Sequence, residues 1–273
     1  MVRQILSILA LFALASCDTG LQGAVPSQGL TVHFPDVGQG NATAVSEGDA
    51  CILIDVGPPP EVSGDWMSAL PCHSIAGVLI THWDLDHRGG LAAVLARFPV
   101  GHIWYGHVPQ EDSVQALLDG FCRITTEGCR AVHAGDHLDA LAGLDWDILS
   151  TGPDSFPDGN ETSVVSRLSS VKGSVLVAGD LDSVGEQRLA LAMPEQLQSD
   201  VLLLSHHGSG GSNSLQWLGA VRPRLAVVQC GRNNRYGHPA APVMERLQAL
   251  RIPAWVTSDL GGLRAGLDGT QVP

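Results

Sequence analysis

Thr81-His82-Trp83-Asp84-Leu85-Asp86-His87-Arg88-Gly89-Gly90 places four side chains able to hold a metal ion, His82, Asp84, Asp86 and His87, within six residues. The apolar run Val78-Leu79-Ile80 precedes it and reads as a buried strand, and Gly89-Gly90 opens a helical pattern. In a tight loop of this kind alternate side chains can reach one ion while the last two turn towards a second. Two ions a few ångströms apart polarise a scissile group and generate hydroxide at neutral pH. A solvated acidic loop is the plain alternative, and the strand before it and the helix after it argue against that.

Further along the chain, other apolar runs also end in polar loops. Ile54-Asp55-Val56-Gly57, Ala178-Gly179-Asp180 and Leu204-Ser205-His206-His207-Gly208 each put His or Asp at a strand end. Rigid strands fix backbone positions, so polar groups at their ends can converge on one cleft. The spacing predicts strands over 30–34, 42–46, 51–56, 75–80 and 102–105, with helices over 89–97 and 113–118. In the second half it predicts strands over 146–149, 163–168, 174–178, 201–204, 225–228 and 254–256, and helices over 183–192, 214–221 and 242–250. Meandering strands mixed with strand–helix alternation give an α/β chain with two mixed sheets packed together and helices outside. No linker follows residue 30 and no solenoid-type repeat occurs, so residues 30–273 read as one domain.

The net charge is −13 with a single lysine, Lys172. Such a surface has no general field for a polyanion, so a phosphate-bearing substrate must be held locally by metal or by a few arginines. Arg3, the short apolar stretch from Ile5 to Ala15 and the small residues before Cys17 have the order of a secretory signal over residues 1–16. Leu14-Ala15-Ser16-Cys17 resembles a bacterial lipobox, which implies acylation of Cys17 and anchorage to a membrane facing the periplasm or the extracellular side. Asp18 resembles an inner-membrane retention signal of enteric bacteria. Secretion without lipid is the alternative. Residues 17–29 read as a tether, and no apolar run after residue 17 is long enough to span a bilayer. An oxidising compartment permits disulfides: Cys122 with Cys129 closes a small loop, Cys51 with Cys72 is a second candidate pair, and Cys230 is left free.

Seven segments in order are similar to the metallo-β-lactamase superfamily, and more closely to the soluble hydrolase domain of ComEC-type DNA-uptake proteins and their stand-alone relatives. They are His33-Phe34-Pro35-Asp36-Val37-Gly38-Gln39-Gly40, Leu53 to Gly57, Thr81 to Leu91, Asn160 to Val165, Ala178 to Leu181, Ser205 to Ser209 and Gly231 to Pro239. The resemblance implies a four-layer αββα sandwich with the site between the sheet edges. It implies that His82 and Asp84 serve one metal, Asp86, His87 and His206 the other, and that Asp180 bridges both while Asp55 braces the metal loop. Three departures stand out. Asp84 and Asn160 occupy positions where many members have histidine, and Asn41 stands where the ComEC-type pattern reads Asp. A harder, oxygen-rich ligand set suits manganese, with magnesium also admissible, whereas imidazole suits zinc.

Adjacent residues on an extended strand point oppositely, so His206 and His207 are not expected to share one role. One is then a ligand and the other contacts substrate or backs the site. His238 is a candidate proton donor or substrate contact, and Arg232 and Arg235 are candidates to grip phosphate. Asp36, Asp55, Asn160, Ser163 and His207 complete the set expected to touch substrate or brace ligands. The other histidines match no ligand position. Trp104, Trp146 and Trp217 read as core, and Trp83 either shapes the cleft or packs under the loop. The expected function is an exported hydrolase acting on a small-molecule or nucleic-acid phosphoester through a hydroxide activated between two divalent ions, with Asp86 and His238 catalytic. A hydrolase of a lactam, lactone or thioester is one alternative, and a non-catalytic binding lipoprotein is another.

Overall fold

Apolar side chains at successive positions, as in Ile52-Leu53-Ile54 and Val201-Leu202-Leu203, point alternately to the two faces and bury both faces of the central strands. The computed structural model describes residues 29–152 and 159–272. The expected signal segment, Cys17 and all of the tether but Gly29 lie outside the described residues. In chain order the strands are β1 (Thr31–Phe34), β2 (Ala42–Glu47), β3 (Ala50–Val56), β4 (Ser74–Ile80), β5 (Val100–Tyr105), β6 (Gly128–Ala131) and β7 (Asp145–Ser150). They continue with β8 (Val165–Ser170), β9 (Gly173–Val177), β10 (Val201–Leu203), β11 (Leu225–Val228), β12 (Ala254–Val256) and β13 (Leu263–Gly266). One sheet has the order β13-β1-β2-β3-β4-β5-β6 and the other β12-β11-β10-β9-β8-β7. Each is antiparallel at one end and parallel at the other, through β3-β4-β5-β6 and β9-β10-β11-β12.

Three buried clusters define the layers. In β4, Leu79 enters the cluster between the sheets, with Trp104, Trp146 and Ile148, while Val78 and Ile80 enter the outer one with Leu91 and Val94 of the helix Leu91–Arg97. In β10, Val201 and Leu203 face inward and Leu202 outward, where Trp217, Leu218 and Val243 cover it from the helices Leu215–Val221 and Ala241–Ala249. This period of two builds the αββα sandwich.

Strands β6 and β13 had no counterpart in the sequence reading. Each is four residues long and lies at a sheet edge, too short for alternation to register. Cys122–Cys129 ties β6 to the helix Asp112–Cys122, and Cys51–Cys72 joins β3 to the segment before β4. Cys230 is free and buried. Among the described residues no helix is long and apolar enough to cross a membrane.

Candidate metal centre

The polar loops gather at the carboxyl ends of the parallel strands, where α/β sheets open a crevice for ligands. Asp55 is the penultimate residue of β3, His82 follows β4, Asp180 follows β9, and Ser205 to His207 follow β10. Two glycines let these loops meet. A Cβ on Gly40 would strike the Asp86 carbonyl, and one on Gly179, at φ +53°, would crowd Thr81 and Ser163.

Asp180 is the centre of the arrangement. Its Oδ1 lies 3.1 Å from His87 Nε2 and 3.7 Å from His207 Nε2. Its Oδ2 lies 3.6 Å from His206 Nε2 and 3.9 Å from His82 Nε2. Asp86 Oδ2 comes within 3.2 Å of His207 Nε2, and Asp84 Oδ2 within 3.6 Å of His82 Nε2. Two groups have ligand atoms close enough to share an ion: His82, His87 and Asp180, and Asp86, His87 and His207.

Hydrogen bonds at the far side of each ring set its tautomer. Asp55 accepts from the Thr81 backbone N–H (2.8 Å) and hydroxyl (2.7 Å), and it lies 2.7 Å from His87 Nδ1. His207 Nδ1 faces two acceptors, Asn41 Oδ1 at 3.1 Å and the Gln229 carbonyl at 3.0 Å. With its hydroxyl proton given to Asp55, Thr81 Oγ1 accepts from His82 Nδ1 at 3.2 Å. In each of the three rings Nδ1 is the nitrogen engaged by these oxygens and Nε2 is the one turned into the pocket, where a cation would displace any proton it carries. The Nε2 atoms of His82, His87 and His207, together with Asp180 Oδ1, are buried without a hydrogen-bond partner among the described residues. Buried polar atoms are seldom left so, and four of them converging is the arrangement a cation satisfies.

Charge follows the same pattern. Burial opposes ionisation of Asp180, yet His87, His207 and His82 hold its carboxyl far below the usual range. Burial likewise lowers the affinity of His87 for a proton, but Asp180 and Asp55 outweigh it and raise its pKa well above normal. Asp84 is lowered chiefly by its hydrogen bond with His82, and Asp86 is lowered by His207 and His87 against the cost of burial.

His206 and His207 do not point oppositely. They sit not on an extended strand but in a turn at φ 51° and 54°, and both Nε2 atoms face Asp180. His207, rather than His206, joins Asp86 and His87, while His206 lies on the His82 side. Asn160 is at His206, with its amide nitrogen 3.2 Å from Nδ1. Ser163 accepts from the Asp180 backbone N–H at 3.1 Å, so it positions the central carboxylate through the chain. The His238 ring packs 5.6 Å from that of His206 and 6.2 Å from that of His207, and burial followed by these two neighbours lowers its pKa.

Arg232, expected to grip phosphate, turns one edge of its guanidinium into the fold. Its Nε and Nη2 both donate to the Ser258 carbonyl, which occupies that edge of the fork. Arg235 is exposed and donates to the Tyr236 hydroxyl at 2.7 Å. Asp36 accepts from Gly38 N in its own turn at 3.1 Å. A cavity of about 430 Å³ opens beside His82 and Asp84, lined also by Trp83, Arg88, His107 and Glu111. Trp83 is thus a buried wall of the cleft. A larger cavity, about 590 Å³ and lined by Asp136, Asp147 and Arg167, has no residue in common with the centre. The sequence reading missed Gln229, whose side chain accepts from Ala42 N at 3.1 Å and donates to the carbonyls of Pro35 and Ala42, although a lone amide ending the apolar run Ala226-Val227-Val228 was a usable signal for that contact.

Residues 35–231 match the family model described as Metallo-beta-lactamase superfamily. The chain is similar to Competence protein ComA of Neisseria gonorrhoeae, 33% identical over a stretch covering 89% of this chain and 33% of that protein. It is similar also to ComE operon protein 3 of Bacillus subtilis (strain 168), 26% identical over 85% of this chain and 32% of that protein. The chain spans about a third of the length of these curated relatives. Among solved structures, the metallo-beta-lactamase fold protein YhfI from Bacillus subtilis superposes with a TM-score of 0.61 at 13% identity, covering 86% of this chain and 99% of that one.

Proposed function

Because the chain belongs to the metallo-beta-lactamase superfamily, we propose that it is a divalent-metal hydrolase acting on a phosphodiester. The observation that carries this reading is the convergence of four unpartnered buried donor atoms on a pocket that also holds the carboxylates of Asp84 and Asp86. In this reading Asp86, His87, His207 and Asp180 would hold one ion, and His82 and Asp84 with Asp180 would hold the other. His206 joins the second set when the Asn160 amide turns its oxygen to Nδ1. Paired divalent ions supply Lewis acidity to a phosphoryl oxygen and a low-pKa water. Three carboxylates among the ligands favour hard cations and phosphate oxygens, so zinc or manganese is expected and magnesium is admissible.

The protein's own part is placement. Asp55, Asn41 and Gln229 keep the Nε2 lone pairs aimed at the pocket. The Asn234 side chain bonds both the N–H and the carbonyl of His238, so this ring stands beside the histidine turn as a neutral hydrogen-bonding group able to meet the substrate. The cavity beside Asp84 takes the remainder of the substrate, with Arg88 as its arginine. A net charge of −13 favours a small phosphodiester over a long polyanion.

Metal analysis followed by assay of a bis-aryl phosphodiester and of nitrocefin on one sample tests the reading. Metal-dependent phosphodiester cleavage that Asp86→Ala abolishes supports it. Rapid nitrocefin turnover with no phosphodiester cleavage replaces it with carbonyl hydrolysis. Export and acylation at Cys17 belong to the same proposal, supported by the lipobox-like sequence and by two disulfides suited to an oxidising compartment. Cys17→Ser is expected to move the chain from the membrane to the soluble fraction.

A further inference from the structure

Between the histidine turn and the helix Leu215–Val221 runs Gly208-Ser209-Gly210-Gly211-Ser212-Asn213-Ser214, a loop of small polar residues. Such a loop has little apolar surface to fix it, so its order must come from hydrogen bonds. Asn213 is fully buried in the left-handed region, at φ 60°. Its Oδ1 accepts from Ser205 N at 3.1 Å and its Nδ2 donates to Ser205 O at 2.9 Å. One amide thus holds both backbone groups of the residue before His206.

Asn213 is itself held by a carboxylate. Glu186, fully buried on the helix Ser183–Ala192, accepts from Asn213 N through Oε1 and from Ser214 N at 2.9 Å through Oε2. Two further bonds tie the same loop to the chain just after Asp180: Ser212 Oγ donates to Leu181 O and Ser183 N donates to Gly211 O, each at 2.9 Å. From the helix Ala241–Ala249, Arg246 Nη1 donates to the carbonyls of Ser212 and Asn213, both at 3.1 Å. The loop therefore joins the backbone beside the central carboxylate to the backbone beside the two histidines. A buried carboxylate is expensive, and burial pushes the Glu186 carboxyl up to about 7 despite its two N–H partners. Alanine or leucine fills such a space without that cost.

We infer that Glu186 and Asn213 are positioning residues for the metal pocket: by fixing the backbone at Ser205 they hold His206 and His207 Nε2 opposite Asp180. Neither residue supplies a ligand atom. The inference rests on the reading of the pocket as a metal centre.

The test uses the full chain with Co²⁺ and Zn²⁺ as probes. Affinity is measured by chelator competition, and ligand geometry by the visible absorption of the Co²⁺ form. Glu186→Gln keeps the side-chain shape with one acceptor oxygen. Asn213→Gly keeps access to the left-handed backbone and removes the amide. Both are expected to weaken metal binding about 10-fold, the lower end for losing a group that orients ligands, and to alter the Co²⁺ spectrum. Glu186→Asp, which keeps both carboxylate oxygens, is expected to recover part of the affinity. If Asn213→Gly fails to fold, the Glu186 pair decides. Unchanged affinity and spectrum in Glu186→Gln overturn the inference while leaving the metal reading intact. Absence of metal in the unaltered chain overturns the metal reading, and this inference with it.

Discussion

On the Oδ1 side of Asp180, His87 and His207 are buried and each commits Nδ1 to oxygen acceptors. On the Oδ2 side, the Asp84 side chain is 64% exposed and His206 meets an amide nitrogen. An amide nitrogen donates, so His206 Nδ1 accepts and its ring proton sits on Nε2, facing Asp180. One half is thus prearranged to receive a cation, while the other must reorient a group first. Prearranged ligands bind more tightly because less ordering occurs on binding. The cavity of about 430 Å³ opens on the looser half, and under the proposed function substrate would meet the pocket on that side.

The largest effect is expected from Asp180→Ala, because its carboxylate serves both halves. Both metal equivalents and all phosphodiester cleavage should be lost, as read by elemental analysis and turnover. Retention of one tightly bound ion would mean that the halves do not share this residue. Asp55→Asn comes next. It replaces the charge 2.7 Å from His87 with a neutral amide and should weaken the deep position about 10–100-fold, and the looser one less, because Asp55 reaches His82 only through the Thr81 hydroxyl. An equal loss at both positions in a metal titration would break the distinction drawn here.

Much of this pocket was legible because it lies in contiguous runs at strand ends. The loop from His82 to His87, and the strands before it and before Asp180, declare themselves through apolar periodicity. What stayed hidden was set by backbone conformation and by distance along the chain. His206 and His207 read as opposed while Leu204 is continued as a strand, and only the left-handed turn brings both inward. The brace on His207 comes from Asn41, 166 residues away, and from a backbone carbonyl, which no side-chain pattern can encode. Asn41 was visible only as a departure from Asp, and the structure gives that departure a role as the neutral acceptor for His207 Nδ1.

The turn sends one histidine to each half, so its support tests whether the halves are separable. Glu186 has a folded-state pKa raised from 4.5 to about 7, so the folded protein binds the proton more strongly than the unfolded chain. Its contribution to stability is therefore complete below about 4.5, is lost as pH rises to about 7, and is level above. Thermal melting of the metal-free protein should show this decline, and Glu186→Gln should flatten it between those limits. A slope that persists in Glu186→Gln assigns the titration to another group.

The smallest effect, and the one aimed most directly at the difference between the halves, is expected from Asn160→Asp. A carboxylate cannot donate to His206 Nδ1, so the ring must place its proton on Nδ1 and turn the Nε2 lone pair to the pocket, as His87 already does beside Asp55. The looser position then acquires the arrangement of the deep one. Its affinity should rise by up to about 10-fold, the converse of removing such a group, while the affinity of the deep position stays within experimental error. Stepwise titration with Zn²⁺ separates the two equivalents. If Asn160→Asp leaves the weaker equivalent unchanged, the tautomer of His206 is not what distinguishes the halves, and the exposure of Asp84 must account for the difference.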